Sequence, residues 1–338
     1  MNIMKRSLFI GGLAALAMAT YAGPEHAAGA TTWRLSSQMP PDSIEGKAYD
    51  LFAQAAAKHS NGRIEVKVFP NEQLGKWDAV TEQLSRNVIQ VAPTTAAFLS
   101  KWAPGIKYIS APFVFKDYDH WARFMETELV KGWLAEVESK SNLMVLGRIT
   151  DFPRGSYRTL VTKSPVRSVD DIKGMKLRMF NDKLAIGVWA HLGADVRVLS
   201  WSDVYDGLNR GIVDAVTSPA ELVEPNKLYE VAPNVTRTDE YPQGVAFITS
   251  ATAYKALSAE DKAAVLKAQQ EAAAFARKEI DAASEGFVAL MKEKKVVVSS
   301  ALDIGPIVQK TAEFYKVQAK EGELPAGFME AVAATAKP

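Results

Sequence analysis

The amino-acid sequence predicts an α/β protein built as two lobes, and three observations carry that reading. The chain has 338 residues, too many for one ordinary core and enough for two domains of roughly 100 to 200 residues each. Short strand-like runs alternate with helical ones, as they do in open α/β sheets. One region, "SAEDKAAVLKAQQEAAAFARKEIDAASEGFVALMKEKK", reads as continuous helix for more than thirty residues, a length that suits a helix spanning both lobes.

The elements follow in order. In "MNIMKRSLFIGGLAALAMAT", Lys5 and Arg6 precede an apolar run of thirteen residues, 7 to 19. This is shorter than the about 20 residues needed to cross a bilayer and has the form of a secretory signal peptide. A-x-A patterns at Ala17/Ala19 and Ala28/Ala30 place the mature start near Thr20 or Thr31, and the strand-like "TTWRLSSQ" favours Thr31; an uncleaved anchor is the alternative.

From Thr32, "TWRLSSQ", "SIEGKAYDLFAQAAAKHSNG" and "RIEVKVFP" read as strand, helix and strand. Ala48, Leu51, Phe52, Ala55 and Ala56 recur at helical spacing, and Asn61-Gly62 is a C-cap signal. A helix in "KWDAVTEQLSRN" leads into the strand-like runs "VIQVAPTTAAFLS" and "IKYISAPFVF". The middle third repeats the alternation with "LMVLGRIT", "YRTLVT", "MKLRMF", a helix from about Lys183 to Leu192, and "ADVRVLS". A helix over residues 202 to 210 and a short strand at 212 to 216 follow. Ser258, with Asp261 at the capping-box position, opens the long helix.

Composition narrows the function. At 48% hydrophobic and 23% charged residues, with no low-complexity tract, the chain is an ordinary globular one. Removing residues 1 to 30 takes away Lys5, Arg6 and Glu25 and leaves 38 basic and 38 acidic side chains. That neutrality argues against a nucleic-acid partner. The absence of cysteine excludes disulfides, thiolate catalysis and thiolate metal sites. The histidines left after processing, His59, His120 and His191, lack metal-ligand spacing, and no nucleophile elbow, phosphate loop or dinucleotide fingerprint occurs. Asp170-Asp171 and Glu224 have no evident acid/base partner. Neither enzymatic activity nor a cofactor nor a metal is expected, and a monomer is the default.

Two arginines stand out. In "DIKGMKLRMFND", strand alternation puts Lys176, Arg178 and Phe180 on one face and Met175, Leu177 and Met179 on the other. Asn181-Asp182 stop the strand and cap the next helix, which places Arg178 at a strand's carboxyl end beside a helix N-terminus. Ligands of open α/β sheets bind there, and helix N-termini favour anions. A cation that cannot shed its proton needs an anion, and its planar fork fits a carboxylate. Two readings stay open: Arg178 clamps a ligand carboxylate, or it pairs with a protein acid or lies on an exposed edge. Arg158, twenty residues upstream in "RGSYRTLVT", poses the same question. Trp201 either lids a cleft or belongs to the core.

Several longer segments carry a resemblance. "HSNGRIEVKVFPNEQLGKWDAVTEQL", "ISAPFVFKDYDH", "SVDDIKGMKLRMFND", "LGADVRVLSWSDVYDGLNRGIVDAV" and "NKLYEVAPNVT" resemble, in order, the extracytoplasmic solute-binding proteins of tripartite ATP-independent periplasmic (TRAP) transporters, the DctP family, over residues 32 to 330. The resemblance implies a two-lobed periplasmic-binding-protein fold with mixed sheets, hinge strands and a long lobe-spanning helix. Lobe I would comprise residues 31–155 and 244–283, and lobe II residues 156–243 and 284–338. It further implies a periplasmic protein that closes around a small organic acid and delivers it to the permease subunits in the membrane. An exported sensory binding protein, or an enzyme acting on such an acid, is the alternative.

For the site, the resemblance implies that Arg178 is the main carboxylate-binding residue, assisted by Arg158, with Asn181 a polar contact and Trp201 an aromatic that packs on the ligand. Thr94 and Thr95 fall on the first lobe's contact loop, where sialic-acid-binding relatives carry glutamate. Ser218 stands where many members have asparagine. Trp77 occupies a loop near the cleft where smaller or acidic residues are usual, and either narrows the pocket or stacks on an aromatic or cyclic acid, or packs on the surface.

Overall fold

The computed structural model describes residues 30–300 and 302–336; the expected signal peptide lies outside the described residues. In chain order, β1 (Thr31–Ser36), α1 (Ile44–His59), β2 (Ile64–Phe69), α2 (Trp77–Ser85), β3 (Val91–Thr94), α3 (Tyr118–Met125), α4 (Glu128–Ser141) and β4 (Leu143–Leu146) build around a first sheet. A second sheet and its helices follow: β5 (Arg158–Thr162), β6 (Lys176–Met179), α5 (Lys183–His191), β7 (Asp195–Val198), α6 (Val204–Asn209), β8 (Ala215–Pro219), α7 (Leu228–Val231) and β9 (Asn234–Arg237). The chain returns through β10 (Ala246–Ser250) and α8 (Ala251–Lys255), crosses in α9 (Ala259–Glu293), and finishes with β11 (Val297–Ser299), α10 (Gly305–Lys320) and α11 (Phe328–Thr335).

The first sheet has the order β2-β1-β3-β10-β4, and the second β11-β9-β5-β8-β6-β7. Both are mixed: β10 runs antiparallel to β3 and β4, and β5 antiparallel to β8 and β9, within otherwise parallel neighbours. The protein is therefore a two-lobed α/β molecule with one sheet per lobe.

Three segments connect the sheets. Residues 147–157 and 238–245 cross side by side and pair through a Pro153–Gly244 bridge, with Arg154 N–H donating to the Gln243 carbonyl at 2.8 Å. Glycine is required there: a Cβ on Gly244 would sit 2.4 Å from the Ile149 carbonyl oxygen. The third is α9, 35 residues long, or about 50 Å at the helical rise. Ser258 accepts from Asp261 N–H at 3.0 Å to start it. Its first half buries Ala268, Ala272, Ala273 and Ala276 in the core around the first sheet, where the small side chains let it lie close to α1. Its far end buries Phe287 and Met291 under the second sheet.

The C-terminus departs from the lobe boundaries expected of the sequence. β11 pairs in the second sheet and α10 packs on α5, but α11 returns to α3 beside the first lobe. Phe328 wedges between Tyr108 and Phe124 there, at ring-centroid distances of 4.9 and 5.7 Å. Arg123 and His120 bond the carbonyls of Thr335 and Val332.

Of two strand-like runs, one is a strand only in its first part and the other is not a strand. After β3, Thr95 accepts from Ala97 N–H and turns the chain into a 3-10 segment at Ala96–Lys101, and Pro104 opens another at Pro104–Ser110. Most of their apolar residues are buried, which is why a short apolar run could not separate strand from helical turn. The strand expected at 212 to 216 begins later, as β8, because Val213 N–H still bonds the Gly207 carbonyl in the turn that ends α6.

Candidate functional site

The sheets face one another across a cavity of about 690 Å3 that both lobes and the crossing segments line. β6 delivers Arg178 to it. The side chain is only 5% exposed, its Nε–H donates to the Leu199 carbonyl at 2.9 Å, and its guanidinium lies over the Trp201 ring at 5.3 Å. No carboxylate among the described residues pairs with it, and neither Nη group has an acceptor there. Burial first, and the charge of Arg158 second, pull its pKa down to about 10. It stays cationic at neutral pH, held in a place that makes the charge costly and an incoming anion welcome.

Arg158, at the start of β5, also lines the cavity, but its charge is already answered. Nη2–H donates to Thr217 Oγ1 at 2.8 Å and reaches Glu240 Oε2 at 3.5 Å, Nη1–H approaches Gln243 Oε1 at 3.3 Å, and the guanidinium lies 4.6 Å over the Tyr241 ring. Glu240 is fully buried and accepts from the Trp189 indole N–H at 2.5 Å. Burial pushes its pKa up while Arg158 pulls it down. Pairing with a protein acid, one of the readings open from sequence, is realised at Arg158 and absent at Arg178. A third arginine of the lining, Arg154, is saturated: it forks onto Glu45 at 2.8 and 2.7 Å, and Tyr49 donates to the same carboxylate at 2.6 Å.

The helix end beside Arg178 is occupied as well. Asp182 caps α5, accepting from Leu184 N–H at 2.8 Å and Ala185 N–H at 3.2 Å. The N-terminus that looked from sequence like an anion site is thus filled by the protein's own carboxylate. Burial raises that carboxyl to about 6, against the opposing pull of those backbone N–H groups.

Of the remaining residues singled out from sequence, Trp77, Thr95, Asn181 and Trp201 line the cavity. Thr94 and Ser218 do not. Successive strand residues point to opposite faces, so in β8 it is Thr217 that meets Arg158, while Ser218 is fully buried behind it and donates to the Pro219 carbonyl at 2.9 Å. Thr94 likewise turns away from the cavity that Thr95 lines, and its buried hydroxyl has no partner.

Phe98, Phe180, Tyr241 and Gln243 line the site without having been singled out. Phe180 shares Arg178's strand face, so its place was legible; the others lie on turns and a crossing segment whose course no local pattern gives. Trp77 packs on Phe98 at 5.1 Å, and Phe98 meets Phe180 edge-on at 5.3 Å, which joins the lobes through an aromatic wall. At the cavity mouth Lys76 Nζ pairs with Asp203 at 2.5 Å, and Ser202 donates to Glu72. The lobes are therefore in contact across the cleft. Among the described residues no cluster of metal-ligating side chains occurs.

Known proteins share this architecture. A solute-binding protein of Chromohalobacter salexigens is 27% identical over 317 residues, covering 94% of this chain and 90% of that one. The sialic acid-binding periplasmic protein SiaP of Vibrio cholerae is 26% identical over 287 residues, 85% of this chain and 88% of its own. The sugar acid binding protein of Advenella mimigardefordensis, solved with galactonate, superposes with a TM-score of 0.83 at 24% identity, covering 91% of this chain and 98% of that one, and shares the fold. Residues 35–321 match the DctP family, the bacterial extracellular solute-binding proteins of family 7, and this chain belongs to that family.

Proposed function

We propose that this protein is a periplasmic solute-binding protein that captures a small hydroxylated organic acid between its lobes and delivers it to the membrane permease subunits of a TRAP-type transporter. One observation carries the reading: Arg178 is a buried cation whose fork finds no protein carboxylate. A ligand carboxylate supplies two charge-assisted hydrogen bonds at that point. Arg158, fixed by Glu240 and Thr217, presents a second cation with its geometry already set. Thr95, Asn181 and Gln243 offer hydrogen-bonding groups to hydroxyls, and Trp77 and Trp201 offer flat faces.

Binding favours contact between the lobes because the ligand touches both. Lobe I supplies Thr95 and Trp77 and lobe II supplies Arg178 and Asn181, so an acid held only by lobe II lacks half its contacts. The moving units would be residues 31–155 with 244–283 and residues 156–243 with those from 284 through α10, turning about the crossing segments and α9. Excluding water strengthens the ion pair, at the cost of stripping both charges of solvent. Export rests on the signal-like N-terminus and on the extracellular character of the family.

A thermal-shift screen of the protein against aldonates, uronates, C4-dicarboxylates, 2-oxo acids and aromatic acids tests the proposal. A tight ligand raises the melting temperature in proportion to the logarithm of its concentration over Kd. At least one hydroxylated acid should do so; stabilisation by none of these acids would overturn it.

A further inference from the structure

Behind Trp201 lies a second cavity, of about 260 Å3. Gln38 and Trp201 are the two residues that line both it and the main cavity. The indole is held from both sides. Its N–H donates at 3.1 Å to Oδ1 of Asn226, which lines the second cavity, and its ring carries the guanidinium of Arg178, which lines the first. Asn226 is itself braced, donating from Nδ2 to the Leu222 carbonyl at 2.8 Å. The Trp201 indole, pinned by a hydrogen bond at its edge, thus forms the wall between the two spaces together with Gln38.

The second cavity has its own chemistry. None of the described residues that line it is charged; Asn71, Ser202, Tyr205 and Asn226 stand with the Trp201 ring and two aliphatic side chains. The Asn71 amide makes no side-chain hydrogen bond, and Gln38 donates to Glu72 at 3.1 Å while its carbonyl oxygen accepts from no protein group. Free amide groups beside aromatic faces suit a neutral hydroxylated ring, whose C–H face stacks on the aromatics while its hydroxyls meet the amides. A second anionic group would find no cation there.

We infer that Trp201 is the residue that sets ligand length: the indole confines the acid to the main cavity, and without it the second cavity becomes a subsite for a neutral hydroxylated extension of the same acid. This rests on the carboxylate reading of the main cavity. Gluconate and lactobionate, its O4-galactosyl derivative, carry the same carboxylate head and differ by one neutral sugar. The test is calorimetric titration of both into the wild type, Trp201→Ala and Asn226→Ala, with circular dichroism to confirm that each variant is folded. Trp201→Ala should bind lactobionate at least about tenfold more tightly than the wild type does, the scale on which pocket shape discriminates. Its affinity for gluconate should fall in the same variant, because the face against the ligand is gone. Asn226→Ala, which keeps the indole but unpins it, should show a smaller gain for lactobionate in the same direction. A Trp201→Ala protein with no gain for lactobionate overturns the inference, as does a wild type that binds both acids alike. If the wild type binds an acid and the variant gains nothing, the partition alone falls; if no acid in the broader screen binds, the carboxylate reading falls and takes the partition with it.

Discussion

Arg178 and Arg158 sit in one cavity with the same chemistry and opposite obligations. Arg178 is buried with its fork unanswered, so its removal relieves the unliganded protein of a costly charge while depriving the ligand of its anchor. Arg178→Ala should cost about 3 to 5 kcal/mol of binding free energy, as for a broken buried ion pair, and leave the melting temperature of the unliganded protein unchanged or raised. Calorimetry with the best acid from the screen and a melt without ligand check the two halves. Arg178→Lys should also bind weakly, because a point charge cannot reproduce the planar fork. Arg158→Ala should behave differently. It strands the fully buried Glu240 without its cation, so the unliganded fold itself should lose stability, on the order of 3 kcal/mol, readable as a lower urea midpoint. Equal effects of the two substitutions on the unliganded protein would contradict this division of roles.

At the scale of elements, α5 shows how a cap couples stability to pH. Asp182 accepts two backbone N–H bonds at the helix start, yet burial holds its carboxyl at about 6 instead of the ordinary 3.8. A carboxyl raised in the folded state favours its protonated form there. Its stabilising contribution is therefore full below about pH 3.8 and is lost as pH rises through about 6. Asp182→Asn keeps an oxygen for the cap and removes the titration. Between about pH 4 and pH 6.5 the urea stability of the wild type should fall relative to that variant by an amount on the order of 2 kcal/mol. A stability difference that stays flat over this range would show that Asp182 titrates normally. The long helix makes a different use of sequence: alanines at 268, 272, 273 and 276 let α9 approach α1, and bulkier Phe287 and Met291 fill the space under the second sheet. One helix thereby belongs to both lobes.

At the scale of the whole molecule, the lobes touch across the cleft at its mouth and in the aromatic wall. Lys76–Asp203 and Ser202–Glu72 are solvent-exposed, so they trim the balance between open and closed states without dominating it. Lys76→Ala should weaken ligand binding a few-fold at low ionic strength, chiefly through faster dissociation, and the difference should vanish at about 1 M salt, where screening acts within a few ångströms. Stopped-flow dissociation at two salt concentrations checks it; a loss that persists at high salt would mean the lysine touches the ligand instead.

What the sequence determined by itself was whatever depends on local periodicity. Strand alternation put Arg178 and Phe180 on one face, and helical spacing with Ser258 defined α9. Asn181-Asp182 marked the end of β6 and the cap of α5. Tertiary structure decided everything that needed a partner far along the chain. Glu240, 82 residues after Arg158, answers one arginine and leaves the other free, and no local pattern records that difference. The same holds for Thr217 and not Ser218 facing the cleft, and for α11 returning to the first lobe. The reason is physical: a residue's phase within its element is set by backbone geometry over a few neighbours. Whether its charge is paired, buried or offered to a ligand depends on which other element is packed against it, and that is fixed only when the sheets and crossing segments come together.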